Sequence, residues 1–443
     1  MQSVKRLILI IPSLLIILGC SKVKQDKILA KVNGEPITAS EFIKALPPRF
    51  PSATDEENYR RSLIDQLINK KLIIQEAIKL GIDREIENAF AEDKKSILIQ
   101  ALYDDVVTKN VKISRNEIEK ARSLLLTKVY LKQITVTDEN IVQMIYNELN
   151  RGVNFDSLAK KYSQDFYAQV GGDVGFLPLL YLDSLVRNYV QKMQINEISM
   201  PIKSEDGYQI VQIIDKQVDK DTSSLITKNA REFLEQEKSR ILAQNYLNKL
   251  EQRLEFNPVG LQIFYKNYDE ITDADGEIWV VKKDNQKVVY AKNLKHIAKE
   301  FPNLLDTTMR TYAVKRAIID DLLYEDALAR QLDKKPEVQR QLNERRDEWR
   351  YERFLYTQIT EKIQITDDEV QAYYNANKEK YANNKLPTVA EQIRQQLFAD
   401  RRTELYRQLI DSLKAQAKIE VFEPLVQNVG KNKKSKGVSN ENI

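Results

Sequence analysis

The chain of 443 residues contains one cysteine, Cys20, and one histidine, His296. A lone thiol leaves no partner for an internal disulfide, so stability has to come from apolar burial. A lone imidazole has no partner for a metal site or a catalytic triad, and His296, in the helix-like run 294–298, reads as a surface residue. Glycine is also scarce, 12 in the whole chain, which favours long helices over turn-rich sheet. Charge of one sign is lacking: 69 Lys plus Arg stand against 65 Asp plus Glu, a formal net charge of +4. That balance argues against nucleic acid as the main partner. No phosphate-binding loop, dinucleotide fingerprint or zinc spacing occurs, and no cofactor or metal is implied.

The N-terminal apolar run, residues 7–18, follows Lys5 and Arg6. It is shorter than the roughly 20 residues that a membrane span requires and fits the core of a secretory signal. It ends in Ile17-Leu18-Gly19-Cys20, a lipobox-like tetrapeptide in which Cys20 would accept the lipid. The expectation is a signal peptide over 1–19, a lipidated tether over 20–27, and a protein anchored to the membrane outside the cytoplasm. Ser21 after the cysteine points to the periplasmic face of the outer membrane.

Beyond the tether, residues 28–32 read as a strand, Asn33-Gly34 as a turn, and Thr38 or Ser40 as a helix cap. A long helix is expected over 56–80, with Leu63, Leu67, Ile74 and Ile78 on its apolar face and Gly81 at its end. Another is expected over 85–109, and Ser114 with Glu117 forms a capping box for a fourth. The same order returns about 250 residues later. The block 72–77 matches 322–327, 113–118 matches 365–370, and both copies close with a long amphipathic helix, a β-like segment and a proline. The segmentation is a first helical module over 28–128 plus 219–258, an inserted domain over 129–218, a second module over 277–424 without an insert, and a polar, disordered tail over 425–443.

The insert reads as strand, three helices and two strands, with a tight bend at Gly171–Phe176. It carries, in order, Asn154-Phe155-Asp156-Ser157-Leu158-Ala159, Tyr162-Ser163-Gln164-Asp165, Gly171-Gly172-Asp173-Val174-Gly175-Phe176, Asn196-Glu197-Ile198-Ser199 and Gly207-Tyr208-Gln209-Ile210. This succession resembles the parvulin-type (PpiC, rotamase) peptidyl-prolyl isomerases. With Val32-Asn33-Gly34-Glu35-Pro36-Ile37 before it, the chain resembles the SurA and PrsA class of secreted foldases.

The resemblance implies an α+β fold, predominantly α-helical: two SurA-like helical chaperone modules and one inserted parvulin-like domain. It implies unfolded or nascent exported polypeptides as partners, with outer-membrane proteins among them, and leaves a homodimer open. The family's core of two histidines, an acid and a hydroxyl maps here to Gln133, Gln209, Asp165 and Ser204. Its proline-binding cup maps to Val174, Leu177, Leu182 and Val186. Glutamine cannot titrate near neutral pH as imidazole does, so isomerase activity is expected to be weak or absent. The rival readings are an active prolyl isomerase and a structural envelope lipoprotein. In the second module, Trp349, Tyr351, Phe354, Tyr356, Tyr373, Tyr374 and Tyr381 lie among Arg340, Arg345, Arg346, Arg350 and Arg353. Most of these aromatics are expected in the core, and some on a cradle for clients.

Overall fold

The computed structural model describes residues 26–204, 207–221, 223–284, 287–300, 307–381 and 384–431. The signal segment, Cys20, Ser21 and residues 432–443 lie outside the described residues.

The described chain opens with the hairpin β1 (Ile28–Val32) and β2 (Glu35–Thr38). Its turn residues Asn33 and Gly34 have φ of 53° and 88°, the left-handed pair that fits strand twist in a two-residue turn. Thr38 caps α1 (Ala39–Ala45), and Glu41 completes the capping box. Ser52 caps α2 (Ala53–Lys79), which stops where Gly81 adopts φ 75°. α3 (Asp83–Val106) and α4 (Arg115–Leu126) follow, the latter with the Ser114–Glu117 box.

The insert contains β3 (Thr127–Val136), α5 (Glu139–Asn150), α6 (Phe155–Tyr162), β4 (Asp173–Pro178), α7 (Ser184–Val190), β5 (Ile202–Ser204) and β6 (Gly207–Val218). α8 (Ser224–Glu251), β7 (Leu254–Phe256) and α9 (Pro258–Gln262) close the first copy. After α10 (Asp273–Gly276) the second copy repeats the order. It runs β8 (Trp279–Lys283), β9 (Lys287–Tyr290), α11 (Ala291–Glu300), α12 (Thr307–Ala329), α13 (Pro336–Gln358), α14 (Asp367–Ala376), α15 (Leu386–Gln416), β10 (Ile419–Val421) and α16 (Glu423–Asn428). The architecture is α+β and mostly helical.

Details recur with the order. Asp284 takes φ 51° where the first hairpin has Asn33, and Gln331 takes φ 56° where the first long helix ends at Gly81. Thr366 and Glu369 form the capping box of α14 as Ser114 and Glu117 do for α4.

Packing groups the chain differently from the segmentation expected above. One compact unit joins the residues up to Ile97 with those from Pro336; the other is Leu98–Lys335. In the first unit, β10 pairs antiparallel with β1, Ala30 facing Val421 and Val32 facing Ile419, giving the sheet order β10-β1-β2. In the second, β7 pairs with β8, Leu254 facing Lys283 and Phe256 facing Val281, giving β7-β8-β9. Each hairpin is therefore completed by the closing strand of the other copy.

The cores follow the same grouping. Leu29, Ile37 and Phe42 from the first hairpin and α1, with Leu63, Ile64 and Ile68 of α2, surround Val426 of α16. Ile73, Ala77, Ile82 and Ile86 pack with Phe354 of α13 and Ile410 of α15. In the second unit, Ile263 and Phe264 beyond β7 pack with Val280, Val281, Leu294 and Val314. Two expectations are corrected. Ile78, placed on the apolar face of α2, is 45% exposed, because the buried stripe runs through Ile73, Ile74 and Ala77. Residues 425–428, placed in a disordered tail, belong to α16, and the complete burial of Val426 holds them.

Candidate functional site

β3 runs through the middle of the inserted sheet, whose order is β4-β3-β6-β5. β4 is additional to the three strands expected, and the bend at Gly171–Phe176 is its start. Gly171 and Gly172 have φ of 75° and 81°. A Cβ on Gly172 would lie 2.4 Å from the carbonyl oxygen of Gln133, so only glycine lets the loop approach β3 this closely. The Gln133 N–H donates to the Gly172 carbonyl at 2.8 Å.

Gln133 and Thr135 are two apart on β3 and share a face, with Gln209 directly opposite Thr135 on β6. The same face carries Val129, Leu131, Val211 and Ile213, covered by Val186 and Val190 of α7. The loop after α6 is laced to β3. The Thr135 N–H donates to Ser163 Oγ at 2.9 Å, and Gln164 N–H donates to the Thr135 carbonyl at 2.8 Å. That lacing places Asp165 over the Gln133–Thr135 row. Asp165 Oδ2 accepts from Gln133 Nε2 and from Thr135 Oγ1, each at 2.9 Å, and Oδ1 accepts from the Tyr167 N–H at 2.9 Å. A carboxylate engaged by three donors is a positioned acceptor, well suited to hold a loop in place.

Of the four mapped polar positions, the structure joins Gln133 and Asp165. Ser204 Oγ instead donates to the Gly207 carbonyl at 3.2 Å across the β5–β6 turn. Gln209 keeps its register opposite Thr135 and Ile202. Thr135, buried and bonded to Asp165, is the member that sequence reasoning passed over; its period-two spacing from Gln133 was the available signal.

Residues 126–215 match the PPIC-type PPIASE domain family, and residues 3–110 match the SurA-like N-terminal domain family. In these two parts the chain is similar to parvulin-type, SurA/PrsA-like foldases. The foldase protein PrsA of Geobacillus kaustophilus is 24% identical over 283 residues, covering 60% of this chain and 96% of that protein. The foldase protein PrsA of Caldanaerobacter subterraneus is 28% identical over 235 residues, covering 44% of this chain and 76% of that protein. A crystal structure of peptidylprolyl isomerase (PrsA) from Bacillus anthracis is 21% identical, covers 42% of this chain and 96% of that one, and gives a TM-score of 0.28.

In the domain that matches the PPIC-type family, the four positions expected to form the cup come together, but as part of the core. Val174, Leu177 and Leu182 are partly buried against the cluster that contains Val186, itself 2% exposed. The exposed apolar group beside the polar row is Phe166, 92% exposed between Asp165 and Tyr167. Its ring meets that of Tyr167 edge-on at 5.8 Å.

The arginine-rich helix α13 uses most of its cations internally. Arg345 Nε and Trp349 Nε1 both donate to Asp93. Arg350 makes a forked pair with Asp83 at 2.7 and 2.9 Å, and Arg353 reaches Glu85 at 2.7 Å. Hydrogen bonding to Arg350 holds the Asp83 carboxyl below its ordinary range. Phe354 is buried, and Trp349 and Tyr351 pack beside it, whereas Tyr356 is exposed. These side chains lock α13 to the start of α3, which accounts for the enrichment.

Proposed function

We propose that this protein is an extracytoplasmic chaperone that holds unfolded exported polypeptides, outer-membrane proteins among them, from a lipid anchor at Cys20 on the periplasmic face of the outer membrane. In this reading the parvulin domain contributes binding surface and has little or no isomerase activity. The observation that carries it is the Gln133–Asp165–Thr135 network. Rotation about an X-Pro bond faces a barrier of about 18–20 kcal/mol, and acceleration needs a site that favours the twisted amide over the planar one. Here the acidic group is already committed to Gln133, Thr135 and the Tyr167 amide, and the only imidazole of the chain, His296, lies on α11. The cup position Val186 is closed into the core.

The test pairs two assays on the same purified chain. Aggregation of an unfolded client should be suppressed, while a proline-limited refolding reaction should proceed at its uncatalysed rate. Acceleration that disappears in Asp165→Ala would replace this reading with an active isomerase, the reading favoured by the PPIC-type family match. Capture of one fixed envelope partner without suppression of aggregation would favour a structural lipoprotein.

A further inference from the structure

Both closing segments lie on the other copy's hairpin, and the two junctions share chemistry beyond the ladder. At each, a lysine of the receiving strand faces a glutamate of the incoming one: Lys31 opposite Glu420, and Lys282 opposite Glu255. At each, the residue after the incoming strand donates its N–H back across the ladder: Phe422 to the Leu29 carbonyl at 2.9 Å, and Asn257 to the Val280 carbonyl at 2.8 Å.

At each, too, a buried arginine on the receiving copy's long helix grips the incoming chain past its strand. Arg60 of α2, 2% exposed, donates to the carbonyls of Val426 and Val429 at 3.0 and 2.9 Å. Arg310 of α12, also 2% exposed, donates to the Lys266 carbonyl at 2.6 Å and to Asn267 Oδ1 at 3.1 Å. The two are 250 residues apart, the same offset as the matching blocks 72–77 and 322–327. They are the only buried arginines among the described residues. A buried guanidinium is tolerated only where acceptors meet it; Glu56 of the same helix pairs with Arg60 at 2.9 Å, and the other copy supplies the remaining acceptors named here.

We infer that the chain is a single-chain, segment-exchanged pair. The hairpin and long helix of each copy form a receptor for the closing strand and following turn of the other. The exchange is made in cis, so one polypeptide supplies both partners that two single-copy chains would otherwise provide. This rests on strand pairing and the two arginines, independently of the proposed function.

The test uses the full chain carrying Cys20→Ser, which removes its only thiol. Facing positions in a ladder lie within disulfide reach. The pairs Lys31→Cys with Glu420→Cys, and Glu255→Cys with Lys282→Cys, should oxidise to cross-linked species that run as monomers. The mismatched pair Lys31→Cys with Glu255→Cys should give none. Cross-linking of the mismatched pair within one chain, or matched cross-links that join two chains, would overturn the inference.

A second arm is insensitive to cysteine placement. With a protease site inserted between the exposed residues Asp273 and Ala274, cleavage should leave both fragments eluting together at the size of the intact chain. Separation under native conditions would refute exchange. Arg60→Met combined with Arg310→Met should lower the urea concentration at which the nicked halves part. An unchanged value would remove the arginines from the account.

Discussion

Asp165 accepts hydrogen bonds from two side chains and one backbone N–H, and the buried Thr135 hydroxyl has this carboxylate as its acceptor. Asp165→Ala should therefore strand a buried donor, a loss of about 1–3 kcal/mol for such a group. The expected readout is faster hydrogen exchange at the β3 and β6 amides, with the hairpin β1–β2 unaffected. Gly172→Ala should act on the same place from the backbone side. The left-handed φ alone costs an L side chain roughly 1–2 kcal/mol, and the new methyl would press on the Gln133 carbonyl. A lower thermal midpoint for the parvulin domain checks it. Phe166→Ala is the contrasting case. With 92% of Phe166 exposed, its removal should leave stability within about 0.5 kcal/mol of wild type and weaken suppression of client aggregation. Unchanged suppression would take Phe166 out of the binding surface.

Helix starts were the most legible elements because capping is local. Ser114 with Glu117, and Thr366 with Glu369, are readable four residues at a time, and both boxes form. The structure adds a cation to each from the copy's closing helix: Lys238 Nζ lies 2.6 Å from Glu117, and Arg401 Nη2 lies 2.6 Å from Glu369. No spacing rule could reveal these partners, which are over 30 residues away at the least. The hydrogen bond from Lys238, with those of Ser114, holds the Glu117 carboxyl at about 2 against an ordinary 4.5. A depressed folded-state value means stability that is complete above the unfolded value and lost as pH falls through the folded one. The stability difference between wild type and Glu117→Gln should thus be full at neutral pH, narrow below about 4.5, and close near 2. Denaturant melts across that range measure it. β4 and the β5–β6 pair were less legible. Their register depends on the Gly171–Gly172 approach to β3 and on a bridge from Ile198 to Gln212, contacts made across the domain.

For the whole molecule, the repeat and the inserted domain could be read along the chain, whereas the crossing of the copies could not. Leu254–Phe256 and Ile419–Val421 are three-residue strands of alternating character, and either sequence could complete either hairpin. What selects the partner is tertiary: the buried pocket that takes Val426 in one unit, the one that takes Phe264 in the other, and the arginine beside each. Burying a valine contributes roughly 1.5–3 kcal/mol, and the arginine bonds are lost together with it. Removing residues 419–431 should consequently expose Leu29, Phe42 and Ile64 and leave Arg60 without the Val426 and Val429 carbonyls. Hydrogen exchange should then show β1 and β2 losing protection although they lie almost 400 residues upstream of the deletion, while β8 and β9, closed by β7, keep theirs. Retained protection in β1 would mean that this hairpin can be closed from within its own copy, by the β7 segment that the second unit now holds.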